Sequence, residues 1–290
     1  MAKFAIAAAF GLTMLVGIGV GRAWDETPLL RVQYLAFPVQ WEGKTVMLGA
    51  RFQTPLNVSG KVPAVIMLHN GYGVNYRGVY YAAALNKAGI ATLEIDQYGG
   101  RGIAGGRGSL GPINGLPDIG AAFRLLAERA EIDTARIGLT GFSLGGIQTM
   151  LMMSRRNSET VLGPDKHLQA AMALYPVCWR YNHTPGFEFA ELVDAPVRIL
   201  VGTEDDLDDG AGPCEALVRD LAPADKPHVS LRVFANATPA FDGFDGPSEI
   251  NFPPAHRGQG GVQRIRPNPE AREAARADMV GFFATALKPK

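Results

Sequence analysis

Cysteine and histidine are scarce in this chain: its 290 residues hold two of the first and five of the second. Two cysteines without clustered histidines argue against a structural zinc site, and the expectation is that no metal is bound. An excess of charge is absent too, since Lys plus Arg and Asp plus Glu both number 28. No net field therefore draws the chain to nucleic acid or to an acidic membrane face, and small-molecule chemistry is the better expectation. Internal repeats and low-complexity blocks are missing, which removes solenoids and disordered tails from consideration. The Gly-rich stretch 99–115, with Arg101 and Arg107, carries neither G-x-G-x-x-G in register nor a Gly-Lys-Ser/Thr phosphate loop, so it is not read as a nucleotide cradle.

What is present begins with a leader. Met1-Ala2-Lys3 precedes an uncharged run from Phe4 to Gly21, followed by Arg22, Ala23 and Trp24. A basic start, an apolar stretch, and small residues at Gly21 and Ala23 predict a signal peptide, residues 1–23, cleaved before Trp24. The alternative is an uncleaved membrane anchor over residues 4–21, because the run approaches the roughly 20 residues that span a bilayer. Both readings place residues 24–290 outside the cytoplasm, periplasmic or secreted. There the even pair Cys178 and Cys214 permits one disulfide, the alternative being two partly buried free thiols. A composition 47% hydrophobic and 19% charged suits one large core, hence a single domain over residues 24–290.

Hydrophobic patterning supplies the fold class. Residues 31–37 and 45–52 predict two antiparallel strands joined near Gly43 and Lys44. Residues 63–68 (PAVIML) and 90–95 (IATLEI) are continuous apolar runs of the kind a buried parallel strand shows, with a helix near 78–87 between them. Helix 116–129, strand 136–140, helix 144–153, strands 169–174 and 197–201, helix 214–221, strand 229–234 and helix 269–287 continue the alternation. This predicts an α/β fold: a mostly parallel central sheet with helices on both faces. Residues 238–268 form a second long Pro- and Gly-rich loop, a length that suggests a functional segment or lid.

Gly141-Phe142-Ser143-Leu144-Gly145-Gly146 directly follows an apolar strand and begins a helix. G-x-S-x-G in that setting is the nucleophile elbow of α/β-hydrolases, where a serine on a strained turn needs small neighbours on either side. Ser143 is the expected nucleophile. A serine needs a base, and the base an orienting carboxylate, in the chain order Ser, acid, His. The 197–201 strand ends in Gly202-Thr203-Glu204-Asp205-Asp206, which makes Asp205 the expected acid. Its neighbours Glu204, Asp206, Asp208 and Asp209 read otherwise as a solvated acidic loop. The oxyanion donors are expected at the backbone N–H of Leu144 and of Gly71, in His69-Asn70-Gly71-Tyr72-Gly73. His69, belonging to that turn, reads as structural. Phe142, Tyr72, Tyr98 and Trp179 are candidates for an apolar wall.

LHNGYG, IDQYGGRG, RIGLTGFSLGG, YPVC and VGTEDDLDDGAGPCEAL together resemble the dienelactone hydrolase family of α/β-hydrolases, over about residues 43–287. The resemblance implies hydrolysis of a small carboxylic ester or lactone through an acyl-serine, with no cofactor. Two positions depart from it. The family ends its last strand region in His-Ala-Phe-Asp, whereas here Pro239-Ala240-Phe241-Asp242 puts proline in place of the basic histidine, and Asn70 stands where glycine is usual. Of the five histidines, His256 alone lies in the loop between the last strand and the final helix, which makes it the candidate relocated base. The alternative is a family member that binds a ligand or partner without turnover.

Overall fold

After three opening strands, strands and helices alternate through most of the described chain, and their order and direction follow from which residues are apolar on both faces. The computed structural model describes residues 29–56, 58–105 and 110–289. The predicted leader, residues 1–23, and Arg107 lie outside them. Strands β1 (Leu30–Trp41) and β2 (Lys44–Pro55) form an antiparallel pair at one edge of the sheet. On β1, buried and exposed residues alternate, as expected of a strand with one wet face. β3 (Val62–Leu68), β4 (Ala91–Asp96), β5 (Ile132–Phe142), β6 (Ala171–Leu174), β7 (Val197–Gly202) and β8 (Val229–Phe234) complete an eight-stranded sheet in the order β1-β2-β4-β3-β5-β6-β7-β8. From β4 to β8 every pairing is parallel, while β2 runs antiparallel to β4.

Alternate residues of β3 feed two separate cores. Val65 and Met67 join a cluster with Tyr81 and Leu85 of α1 (Tyr76–Lys87) and Met279 and Phe283 of α7 (Pro269–Ala286). Ala64, Ile66 and Leu68 face the opposite way. They meet residues of α2 (Leu116–Ala127), α3 (Leu144–Leu151), α4 (Arg155–Leu162) and α5 (Gly212–Arg219). The two-faced covering that buried parallel strands require is thereby satisfied. Element boundaries differ from the sequence expectation by a few residues, mostly because β5 and β2 extend past their apolar segments.

Two features escaped the sequence pattern. Helix α4 is strongly amphipathic but polar overall, with only Ser158 and Leu162 buried. Within residues 238–268 a small hairpin, β9 (Ser248–Asn251) and β10 (Val262–Ile265), encloses the single turn α6 (Ala255–Gly258). Four-residue strands without a hydrophobic alternation give periodicity nothing to register. Among the described residues no helix is long and apolar enough to cross a membrane.

A buried ion pair fixes the segment that follows β8. Arg77, near the start of α1, donates from Nε to Asp242 Oδ1 at 2.8 Å and from Nη2 to Ala240 O at 3.3 Å. Tyr175 Oη donates to the same Asp242 oxygen at 2.9 Å. Asp242 and Tyr175 are fully buried, and Phe241 packs beside Tyr175 and Phe234. The chain around Pro239 is therefore held from α1 and β6. Arg77→Ala leaves Asp242 without its cation in the interior, and is expected to lower the unfolding free energy by about 3–5 kcal/mol in urea denaturation; a loss under about 1 kcal/mol would mean that Asp242 is not carried as a charge.

Candidate active site

The elbow stands where β5 meets α3. Ser143 has φ 50° and ψ −108°, a left-handed conformation that a non-glycine residue keeps only when its surroundings enforce it. They do so by crowding. A Cβ on Gly145 would come within 2.7 Å of His69 O, and one on Gly141 would run into the backbone of Gly145 itself. Ser143 N donates to Leu174 O at 2.9 Å, which ties the turn to the end of β6. The hydroxyl makes no hydrogen bond to another described residue and opens onto a cavity of about 700 Å³.

The two residues expected as oxyanion donors stand on the cavity wall. Leu144 and Gly71 both line the cavity, and neither backbone N–H has a protein partner among the described residues. Asn70, at the position where the family has glycine, is not left-handed. Its side chain instead closes the turn, Oδ1 accepting from Tyr72 N at 3.0 Å and from Asn75 Nδ2 at 3.3 Å. His69 is structural: Nδ1 lies 2.7 Å from Asn70 O and Nε2 accepts from Gln97 N at 3.1 Å. A carbonyl on one nitrogen and an amide on the other specify a neutral ring protonated at Nδ1. Burial accordingly pushes its pKa down.

Asp205 sits at the end of β7, as expected, and is buried. Its Oδ1 accepts from Leu207 N at 2.8 Å and Asp208 N at 3.3 Å, while Oδ2 has no hydrogen-bond partner. Burial, reinforced by the neighbouring Asp208 carboxylate, drives the Asp205 carboxyl up from the usual carboxylate range. Asp208 is pushed the same way by burial, although it accepts from Cys178 N at 2.6 Å and Trp179 N at 3.0 Å. These contacts attach the wall after β6 to the acidic loop, and the Cys178–Cys214 disulfide ties the same wall to α5. The disulfide alternative of the sequence reading is thus the one the structure adopts.

His256 does not meet Asp205 or Ser143. Its Nδ1 pairs with Asp209 Oδ1 at 2.8 Å on the exposed side of the acidic loop, and it is not among the cavity-lining residues. That hydrogen bond raises the pKa of the ring. The expected Ser143, Asp205, His256 constellation is therefore not assembled in this conformation, for a local reason: His256 N donates to Asp206 O and Arg257 N to Leu207 O, at 2.7 and 2.9 Å, with both residues left-handed, so the backbone aims the ring outward. His167, His183 and His228 are likewise absent from the cavity lining, where Pro239 stands.

The acidic loop is also not the solvated loop that its composition suggested. Asp206 accepts from Arg264 N at 2.7 Å and pairs with its guanidinium, Glu204 lies 3.7 Å from Arg264 and 3.5 Å from Arg266, and Asp209 takes Arg257 at 3.3 Å beside His256. Every anchor holds the strap 248–266 over the cavity, whose roof includes Ile250, Phe252, Pro253 and Ile265. Tyr72, Tyr98 and Trp179 line the cavity as expected, whereas Phe142 packs into the core against Tyr81. Sequence reasoning missed Tyr175, Arg77 and the strap arginines; the alternation of acidic 204–209 with basic 257–266 was the signal available for the last.

The raised Asp205 carboxyl has a consequence for stability. With the folded pKa above the unfolded one, the folded state holds the extra proton, so its contribution is present at low pH and is lost as pH rises from the ordinary carboxylate range through the folded value. Asp205→Asn removes that penalty. It is expected to raise Tm at pH 8–9 by roughly 2–4 °C per kcal/mol relieved, the gain vanishing near pH 4; a Tm difference independent of pH would refute the buried ionisation.

Comparisons with known proteins agree with this geometry. The dienelactone hydrolase family profile matches residues 48–287. Two uncharacterized proteins of Mycobacterium tuberculosis, from strains CDC 1551 / Oshkosh and ATCC 25618 / H37Rv, are each 30% identical over 162 residues. Each match takes in 53% of this chain and 56% of the relative, so the chain spans about half the length of the curated relatives it matches. Among solved structures, a dienelactone hydrolase-like promiscuous phosphotriesterase from metagenomic libraries superposes with a TM-score of 0.61 at 17% identity, covering 89% of this chain and 99% of that one. Thermogutta terrifontis esterase 2 phosphorylated by paraoxon gives 0.60 at 16%, covering 89% and 96%. At such identities the structures establish the fold, a mostly parallel α/β-hydrolase sheet, and the family profile establishes membership: this chain belongs to the dienelactone hydrolase family.

Proposed function

We propose that the protein is a serine hydrolase that cleaves a small carboxylic ester or lactone through an acyl-Ser143 intermediate. The observation that carries this reading is the strained elbow serine in an apolar cavity of about 700 Å³, its hydroxyl and the nearby Leu144 and Gly71 N–H groups without hydrogen-bond partners among the described residues. That volume falls within the range of small-ligand sites. Ser143 Oγ would attack the carbonyl carbon, and Leu144 and Gly71 N–H would hold the oxyanion. The alcohol would leave with a proton, and water would then release the acid and restore Ser143. Preorganised donors of this kind, with binding, sustain roughly 10³- to 10⁴-fold catalysis over water even without a full triad. Asp205 would orient the base that takes the Ser143 proton. His256 would have to leave Asp209, with the strap, to serve Ser143.

A second reading, a family member that binds without turnover, is favoured by two observations: among the described residues no histidine lines the cavity, and Asp205 Oδ2 is buried without a donor. Export, as a periplasmic or secreted protein or one anchored by residues 4–21, belongs to the same proposal and is supported by the Cys178–Cys214 disulfide.

Intact-mass labelling with a fluorophosphonate separates these readings. Slow labelling of the wild type, lost in Ser143→Ala, is the expected result, with Pro239→His accelerating it by about 10² or more, the usual worth of a general base. Fast wild-type labelling abolished by His256→Ala would make His256 the base after strap movement. A folded wild type that never labels, beside a Pro239→His variant that does, would replace turnover by binding.

A further inference from the structure

The outer face of the β1–β2 hairpin departs from what a half-buried strand pair requires. Phe37, Val39, Leu48, Ala50 and Phe52 point into the core that α2 shares. The opposite face should then be polar. Instead Val32, Tyr34, Ala36 and Pro38 of β1 share it with Met47 and Gly49 of β2, in a register that sets Ala36 opposite Gly49 and Pro38 opposite Met47. Tyr34 is 83% exposed, Met47 51% and Val32 46%. Arg51, opposite Tyr34, is the one charged residue at these positions of the face, and Glu94 matches it at 2.8 Å. Helix α1 lies on this side of the sheet, yet no residue of β1 or β2 joins the cluster that it forms with β3. Single exposed apolar side chains are ordinary; a continuous uncharged face is not.

This surface extends to the point where the chain enters the fold. Leu29 and Leu56, joined by Leu56 N to Leu29 O at 2.8 Å, are 63% and 47% exposed at the start of β1. In the sequence, eight residues separate Gly21, the end of the uncharged run from Phe4, from Leu30. A tether of that length reaches at most roughly 30 Å, whereas a compact fold of this size is about 45 Å across. With the run held in a bilayer, the start of β1 is therefore on the side turned to lipid, and Tyr34 is only about 14 Å farther along the strand. A phenol with a polar tip among short apolar side chains suits the boundary between headgroups and acyl chains.

Resting on the anchored form of the export reading, we propose that the outer face of the β1–β2 hairpin is a lipid-docking surface that lies on the bilayer holding residues 4–21. The anchor makes the second contact intramolecular, so a weak face suffices to fix how the domain stands on the membrane.

The test makes the full chain by cell-free synthesis in phosphatidylcholine–phosphatidylglycerol vesicles whose acyl chains carry bromine, a short-range quencher of tryptophan. A Tyr34→Trp reporter at the acyl boundary is expected to lose about half of its added fluorescence, and a Val262→Trp reporter on β10 to lose little. Equal quenching at the two positions overturns the surface while leaving the anchor untouched. A second measurement takes the protein as its own host makes it, reads its length by intact mass, and floats it with unbrominated vesicles. If residues 1–23 have been removed, flotation persists, and Val32→Glu with Met47→Glu lowers the partition coefficient about tenfold or more, the anchored reading falls and the surface stands. A shortened chain that does not float overturns both. A dimer in sedimentation that the same two substitutions dissolve assigns the face to a second copy and overturns the lipid surface.

Discussion

Carboxylates that leave water must be matched, and the loop from Glu204 to Asp209 is where this chain concentrates that demand. Asp206 is met by Arg264, Asp208 by two backbone N–H groups after β6, and Asp209 by His256 and Arg257. Through these contacts one short loop at the end of β7 collects the strap that roofs the cavity and the wall that carries Trp179 and Arg180. The cavity's shape follows from how the acidic groups find their partners. Asp205 is the exception, with one oxygen left unpaired at full burial. Such an oxygen is a vacancy in a hydrogen-bond pattern that the rest of the loop completes.

Pro239 stands on the wall of the cavity onto which Ser143 opens. The surrounding Ala240, Phe241 and Asp242 are kept in place by Arg77 and Tyr175, so the segment retains its path although its first residue cannot transfer a proton. The elbow serine and the Asn70–Gly71 turn line the cavity and Asp205 is buried past the end of β7, while among the described residues no histidine lines that cavity. Asn70 shows the opposite outcome at another departure. There the substituted side chain takes up the turn's own N–H group and leaves Gly71 N–H unpaired on the cavity wall.

Much of this was legible from residues alone. The continuous apolar runs of β3 and β4 predicted buried parallel strands, and Gly141, Ser143 and Gly145 after an apolar strand predicted the elbow, because both signals are local. Asp205 was legible as the residue just past the β7 apolar run. Chain order points to His256 but carries no information about direction; two left-handed residues and an ion pair to Asp209 turn it away. Phe142 failed for a related reason, since a residue at the end of a strand alternates sides and this one falls on the core side. The hairpin of β9 and β10 has no periodic apolar signature, so nothing local announces it.

By itself the sequence determined the fold class, the strained turn at Ser143 and the absence of a histidine at position 239, because backbone periodicity, glycine at a crowded turn and the identity of one residue are properties of the chain. Only tertiary structure decided which carboxylates are buried and paired, that Cys178 meets Cys214 and where His256 points. Those facts depend on distances between segments far apart in sequence, set by desolvation and charge pairing once the sheet has brought them together.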